Sequence, residues 1–145
     1  KAAGKMYIYL DFKDADVRKT MELLKKYQFE KAFLVYINSE EQYRAWRKYF
    51  PMVPLMLSLP DEVRDLNAMK DFLAKYPCDL LDGDWDGYTP DMIRHATSLG
   101  IRVWPDIQSP IEEKNWQKAL DLGLDGLQTD HPEALIAWLK AKQRR

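Results

Sequence analysis

Residues 122–140 read LGLDGLQTDHPEALIAWLK, and this stretch gives the strongest indication of the fold. A strand-like run, LDGLQTD (124–130), leads directly into a helical segment that opens with Pro132, and proline is favoured at the first helical position. Gly123 suits the left-handed end of a preceding helix. Helix, glycine stop, short strand and second helix make one step of an alternating βα pattern, which predicts a parallel sheet.

The same step recurs along the whole chain. Strand-like apolar runs follow one another at a spacing of roughly 20–26 residues, the length of one compact βα unit. Most are apolar on successive residues, as strands covered on both faces must be. Together with the run already quoted, they are MYIYLDF (6–12), KAFLVYI (31–37), PLMLSL (54–59), CDLLDGD (78–84) and IRVWPDI (101–107).

Helix starts and stops are marked between these runs. Ser39 and Ser109 each stand three residues before a Gln or Glu, which fits a capping box, and Thr89 precedes a proline. Gly100 suits a left-handed helix end in the same way as Gly123. These signals predict helices between the strands.

Serial βα units form either a doubly wound open sheet or a (β/α)₈ TIM barrel. The chain has no G-x-G-x-x-G after its first strand, so the sequence favours the barrel over a dinucleotide-binding fold. A complete barrel takes roughly 250 residues, and this chain of 145 offers six units. We therefore predict a single domain over residues 1–145 that is an incomplete TIM barrel. Its first two units are expected upstream of Lys1.

Composition excludes several function classes. With a net charge of -1 and a pI near 6.2, the chain is predicted to lack a basic surface for nucleic acid or anionic lipid. No apolar stretch approaches the ~18 residues of a membrane span. Cys78 is interpreted as a small buried apolar residue, and His95 and His131 as helix and loop residues. The compartment is left open.

In a βα barrel the chemistry lies where the strands end, and carboxylates recur there in this chain. Asp11 and Lys13 are the most informative pair, because they flank Phe12 with period two and should project to one side of the first strand. A barrel end lined by carboxylates and a lysine suits a divalent cation, Mg²⁺ or Ca²⁺, and an anionic substrate. The alternative is that Asp84, Asp86 and Asp130 serve turns and helix caps.

Four segments resemble the glycerophosphodiester phosphodiesterase family, relatives of the phosphatidylinositol-specific phospholipases C. The most specific is LGLDGLQTDHP, which is similar to that family's G-(V/L)-D-G-(I/L)-x-T-D-x-P. Three further segments resemble the family. GIRVWPDI resembles its G-x-x-V-x-x-W, YLDFK resembles its E-(I/L)-K, and WRKYFPMVPLMLSL resembles a proline-containing helix. The resemblance covers nearly the whole chain, from what would be the third strand of the barrel to the eighth.

The resemblance implies a metal-dependent hydrolysis of a glycerophosphodiester, a small-molecule substrate, to glycerol 3-phosphate and an alcohol. It places Asp11 at a metal-binding carboxylate, Lys13 at a catalytic lysine that neutralises phosphate charge, and Trp104 beside the substrate. It places the family's two catalytic histidines upstream, so this chain alone is expected to be inactive. Thr129 and Asp130 match a part of the motif that we interpret as structural.

The chain departs from the family at three places, with Asp for Glu at position 11, W-P-D-I after residue 103 and I-N after Tyr36. These changes keep two alternatives open. One is a non-catalytic binding domain with the same fold. The other is an unrelated barrel lyase or isomerase in which Lys13 forms a Schiff base. An incomplete barrel also exposes strand edges, which predicts a homodimer or pairing with the missing N-terminal segment.

Overall fold

The computed structural model describes residues 6–142. Helices and short strands alternate along it, as predicted. The strands are β1 (Ile8–Phe12), β2 (Phe33–Ile37), β3 (Leu55–Ser58), β4 (Leu80–Asp82) and β5 (Arg102–Val103). The α-helices are α1 (Val17–Lys26), α2 (Glu40–Tyr49), α3 (Leu66–Lys75), α4 (Pro90–Ser98), α5 (Trp116–Asp121) and α6 (Pro132–Lys142).

The strands form a sheet in the order β1-β2-β3-β4-β5, so neighbours in sequence are neighbours in the sheet. β1 pairs in parallel with β2, and β2 with β3, with Asp11 opposite Tyr36. This is the α/β topology that the sequence predicts for part of a TIM barrel. The chain divides into two compact units: the first is Lys1–Ser58 with Cys78–Leu80, and the second is Leu59–Pro77 with Leu81–Arg145.

The sixth predicted strand is reduced to a single parallel bridge. Gln128 pairs with Asp106, its backbone N–H donating to the carbonyl of Pro105 at 3.0 Å. The run 124–130 contains Gly126 and polar residues, which weaken a strand. The prediction of a strand along the whole run was therefore wrong, while the parallel pairing at its centre was right.

Helix caps decide where α1 to α4 begin. Asp16 and Asp65 accept hydrogen bonds from backbone N–H groups of their own first turns, as do Ser39 and Thr89. The capping box predicted at Ser109 does not open an α-helix, because Ser109 Oγ accepts from the N–H of Ile111 and the chain passes through a 3₁₀ turn before α5. Gly100 and Gly123 have φ of +77° and +84°, the left-handed conformation predicted for them.

An aromatic core holds the first unit together. Trp46 of α2 is fully buried, packs edge-on against Phe12 with ring centroids 5.4 Å apart, and contacts Phe33 at 6.3 Å. Phe12 and Phe33 lie on the helix-facing side of β1 and β2. By alternation, Tyr9 and Asp11 point to the opposite side of the sheet.

The second unit has a core of its own. One buried group consists of Ile107, Trp116, Ala119 and Leu135, which joins α5 and α6 to the segment after β5. Within residues 6–142 no helix is both long and apolar enough to cross a membrane.

Candidate functional site

The first candidate site lies at the carboxyl end of β1, in the first unit. Asp11 is in the strand and Lys13 follows it, and the Lys13 Nζ lies 2.9 Å from Asp11 Oδ1. Two-thirds of the Lys13 side chain and nearly half of the Asp11 side chain are exposed. The structure therefore brings this predicted pair together on one side of the strand.

Asn38 completes the pair, because the register of β1 and β2 places the end of β2 beside the end of β1. Its side-chain N–H group donates to Asp11 Oδ1 at 2.9 Å and to the carbonyl of Phe12 at 2.8 Å. Its Oδ1 accepts from Lys13 Nζ at 3.0 Å. One amide therefore fixes both charged groups. No local pattern in the sequence marks Asn38 as the partner of this pair.

The first turn of α2 clamps this arrangement. The Asn38 backbone N–H donates to Gln42 Oε1 at 2.8 Å, and the Gln42 side-chain amide donates to the carbonyl of Lys13. The Gln42 N–H donates to Ser39 Oγ, as the predicted capping box requires. Gln42, in the first turn of the helix, is therefore the link between the two loops of the site.

The electrostatics of the pair follow from these contacts. The pKa of the Asp11 carboxyl is lowered chiefly by the hydrogen bond from Asn38; desolvation opposes this, and the hydrogen bond and charge of Lys13 lower the pKa further. The carboxyl of Asp11 is thus favoured in its ionised form, and the Lys13 side chain keeps an exposed face. The arrangement can bind an anion at Lys13 and accept hydrogen bonds at Asp11.

The same sheet face carries aromatic and hydroxyl groups beside the pair. The Tyr9 ring stacks on that of Tyr36 with centroids 5.9 Å apart, and the Tyr36 hydroxyl is 2.8 Å from Ser58 Oγ. Tyr9 lies two residues before Asp11 on β1. These groups place a flat apolar surface and hydroxyls on the sheet face that carries Asp11.

A divalent-cation site requires several oxygen ligands to converge. Within 6–142 no group of three or more His, Cys, Asp or Glu side chains is arranged to hold a metal ion. At the first site the carboxylate is supplied by Asp11, and its Oδ1 already contacts Lys13 Nζ. This donor set does not fit Mg²⁺ or Ca²⁺ by itself, because such ions take several oxygen ligands.

Trp104, the third predicted site residue, lies in the second unit, just after β5. Its backbone N–H donates to the carbonyl of Leu81 at 2.9 Å, and its backbone carbonyl accepts from the Gln128 side chain at 3.0 Å. A Cβ added at Gly126 would lie 2.9 Å from Trp104 Cδ1. The adjacent Asp125 accepts from the N–H of Val103 at 3.2 Å. Asp125 and Gly126 of the quoted stretch thus fix the segment that carries Trp104.

A buried carboxylate lies near this indole. Asp82, at the end of β4, is almost fully buried and accepts a hydrogen bond from the Gln128 side chain. The Tyr88 hydroxyl donates to the Asp82 carbonyl. Gln128 therefore joins the end of β4 to the backbone of Trp104. No local pattern in the sequence marks Gln128 as the partner of Asp82.

Asp130 and His131 form the turn into α6. Asp130 Oδ1 accepts from the Gln108 side chain at 2.9 Å, and the His131 N–H donates to Thr129 Oγ1 at 3.0 Å. The carbonyl of His131 accepts the first helical bond, from Leu135. The His131 Nε2 lies 3.8 Å from the buried carboxylate of Glu112. These contacts agree with the structural role predicted for Asp130 and His131, and His95 lies within α4, as expected.

The fold is shared with solved structures of known proteins. No family model matches the chain, and no curated protein matches it significantly. Its structure is similar to a glycerophosphodiester phosphodiesterase of Agrobacterium tumefaciens, with TM-score 0.75, 16% identity, 95% of this chain covered and 57% of that one. A second, from Parabacteroides distasonis, gives TM-score 0.72 and 16% identity, over 94% and 57% of the two chains.

A third similar structure is a phosphodiesterase of Oleispira antarctica in complex with the product sn-glycerol-3-phosphate, with TM-score 0.69 and 15% identity over 85% and 48% of the two chains. The chain thus spans about half the length of these proteins. At such identities the likeness establishes the fold. The resemblance to these proteins, and the prediction of an α/β fold that forms part of a TIM barrel, are confirmed at that level.

Proposed function

We propose that the protein is a phosphoric diester hydrolase that acts on a glycerophosphodiester and releases glycerol 3-phosphate. The observation that supports this most directly is the Lys13 ammonium held between Asp11 and Asn38 at the end of β1. The fold it shares with phosphodiesterases, one of which binds glycerol 3-phosphate, supports the same proposal.

In this proposal Lys13 is the catalytic residue that contacts the phosphate. Its exposed ammonium neutralises one non-bridging oxygen while charge builds up on the phosphoryl group in the transition state. Asn38 and Asp11 limit the rotation of the Lys13 side chain, so less reorganisation is needed when substrate binds. Trp104 is proposed to line the alcohol or glycerol side of the substrate.

A separate hypothesis is that a divalent cation, Mg²⁺ or Ca²⁺, takes part in the reaction with Asp11 as one of its ligands. When bound, such an ion would polarise the phosphate. Since the described residues do not form its site, no step of the mechanism depends on it here. The role of Asp11 as a metal ligand is tested by activity measurements on the unmodified protein and on Asp11→Asn. Each is assayed after chelation and again on stepwise addition of Mg²⁺ or Ca²⁺.

The activity itself is tested by glycerol 3-phosphate release from a panel of glycerophosphodiesters by the full-length protein. Lys13→Gln is expected to lower kcat/KM about 100-fold, the usual loss for one transition-state donor. Lys70→Gln, on the exposed side of α3, removes the same charge elsewhere and should leave the rate unchanged. No turnover of any diester by the full-length protein would refute the proposal.

A second candidate is a non-catalytic domain that binds a phosphorylated ligand. It is favoured by the Asp11–Lys13 contact, in which the carboxylate is already neutralised by an ammonium. Binding of glycerol 3-phosphate that Lys13→Gln abolishes, without turnover by the full-length protein, would identify it. The Schiff-base alternative is less favoured, because Lys13 is exposed and ion-paired, and a Schiff-base lysine must be neutral to attack a carbonyl.

Assembly remains a further proposal. β1 stands at the edge of the sheet order, and among the described residues its strand partner is β2. An open edge favours pairing with another strand, either in a homodimer or with a preceding segment. Sedimentation of the full-length protein and of residues 1–145 distinguishes these, since only the shorter chain should self-associate if a preceding segment covers the edge.

A further inference from the structure

Large apolar side chains are exposed together at the carboxyl ends of α1 and α2, in the first unit. Tyr27, Tyr49 and Met52 are 60%, 44% and 91% exposed. Glu30, three residues beyond Tyr27 in the turn after α1, lines the same open cleft as Tyr49 and Met52, so this turn lies beside the end of α2. Single exposed apolar residues are common, but a group of them is typical of an interaction site.

Cations lie directly over these rings. The Lys26 Nζ is 5.5 Å from the Tyr27 ring centroid, and the Lys48 Nζ and the Arg18 guanidinium are each 5.3 Å from that of Tyr49. Within residues 6–142 none of these three cations forms a salt bridge. We refer to Lys26, Tyr27, Lys48, Tyr49 and Met52 as the basic–aromatic face.

The local charge differs from that of the whole chain. Residues 17–31 contain five Lys or Arg and two Glu. In residues 44–54, Arg44 pairs with Glu40 and Arg47 with Asp79, so the charge that this segment adds is that of Lys48. The net charge of -1, which predicted no basic surface, averages over this region. The basic–aromatic face therefore has an excess of positive charge that the overall composition hides.

The pairing of lysine with tyrosine at a helix end also occurs in the second unit. α3 ends with Lys75, whose Nζ is 4.9 Å from the ring centroid of Tyr76. Lysine in the last turn of a helix is explained by the helix dipole. That explanation does not require an exposed aromatic ring beside it. The exposed Tyr27 and Tyr49 and the almost fully exposed Met52 need a separate reason.

We propose that the basic–aromatic face docks on the surface of a bilayer that contains anionic lipid. Lysine and tyrosine are the residues that proteins place at the headgroup level, where the ring is half-wetted and the ammonium meets phosphate and carboxylate. Met52 supplies the aliphatic group that enters the acyl boundary. A nucleic acid would pair with the cations and leave Met52 uncovered, so the bilayer fits the surface better.

The test is sedimentation of the full-length protein with phosphatidylcholine vesicles, with and without phosphatidylserine. Binding is expected only with phosphatidylserine, and it should weaken as salt rises. Each lysine removed should lower the partition coefficient about fivefold, so the pair Lys26→Gln and Lys48→Gln should lower it roughly 30-fold. Met52→Ser should weaken binding without changing its salt dependence.

A matched control removes two lysines elsewhere, Lys70→Gln with Lys118→Gln, both exposed. It should bind the vesicles as the unmodified protein does. Any one of three results would overturn the proposal. These are no binding to phosphatidylserine vesicles, an equal loss of vesicle binding in the control pair, or preferential binding of a DNA duplex at the same salt concentration. All substituted side chains are at the surface, and far-UV circular dichroism verifies that each variant folds.

Discussion

Replacing Gly126 by alanine is the sharpest test of how the quoted stretch supports the candidate site. The added methyl group would lie 2.9 Å from Trp104 Cδ1, 3.0 Å from its Nε1 and 3.3 Å from its Cγ. Ordinary contacts between such atoms are about 3.5–4.0 Å. The indole must therefore move by several tenths of an ångström, and the segment that Gln128 holds at the Trp104 carbonyl must move with it or strain.

The size of the effect follows from two opposing contributions. Overpacking costs about 1–3 kcal/mol, and exchanging Gly for Ala returns about 0.4–1 kcal/mol by restricting the unfolded chain, which leaves a net loss of roughly 1–2 kcal/mol. For a chain of this size that lowers Tm by about 3–6 °C. The indole signal of Trp104 in a ¹⁵N–¹H spectrum, assigned with Trp104→Phe, should shift.

Gly123→Ala is the matched control. Gly123 has φ of +84° and nothing within 4 Å of an added Cβ, so alanine there costs about 1–2 kcal/mol through backbone strain alone. Its Tm should fall by a similar amount while the Trp104 signal stays in place. An unchanged Tm together with an unmoved indole signal in Gly126→Ala would refute the steric reasoning. If Trp104 lines the substrate, Gly126→Ala should also raise KM.

Three further predictions concern the first unit. Trp46→Ala should lower the free energy of unfolding by about 3–5 kcal/mol in urea titration, whereas Tyr49→Ala at the surface should change it little. Burial, followed by the charge of Asp79, raises the pKa of the Cys78 thiol to about 12. Ellman's reagent at pH 8 should therefore react with Cys78 only after denaturation, because the thiolate is the reactive form. Prompt reaction of the native protein would contradict this. Asn38→Ala should raise the pKa of Asp11 in an NMR titration. The pKa of Asp11 is lower in the folded than in the unfolded state, so Asp11 stabilises the fold at pH values above its unfolded-state pKa. This stabilisation is lost as the pH falls through the folded-state pKa. A variant with a smaller difference between the two pKa values should therefore lose less stability in acid.

The sequence predicted the elements whose signal is local. Alternation along β1 was enough to bring Asp11 and Lys13 to one side, because strand geometry fixes that relation within three residues. The helix starts at Ser39 and Thr89 were predicted for the same reason, since a cap and its first turn are neighbours in the chain.

What the sequence did not predict depends on contacts between distant residues. Asn38 reaches Asp11 across 27 positions of chain, and Gln128 reaches Asp82 across 46. Both contacts rest on strand register, which no local pattern specifies for parallel pairing. The capping box at Ser109 failed in the opposite way, since a valid local signal was overridden where the chain enters the buried cluster with Glu112 and Trp116.

Gln42 has a consequence for how ligand binding and folding are coupled. Its side chain belongs to the first turn of α2, yet it holds the backbone of both Asn38 and Lys13. Fraying of that turn would release the loops that position the Lys13 ammonium, so the ligand-competent state requires the turn to be formed. By linkage, an anion bound at Lys13 should slow amide hydrogen exchange in the first turn of α2, although no part of that helix needs to touch the ligand.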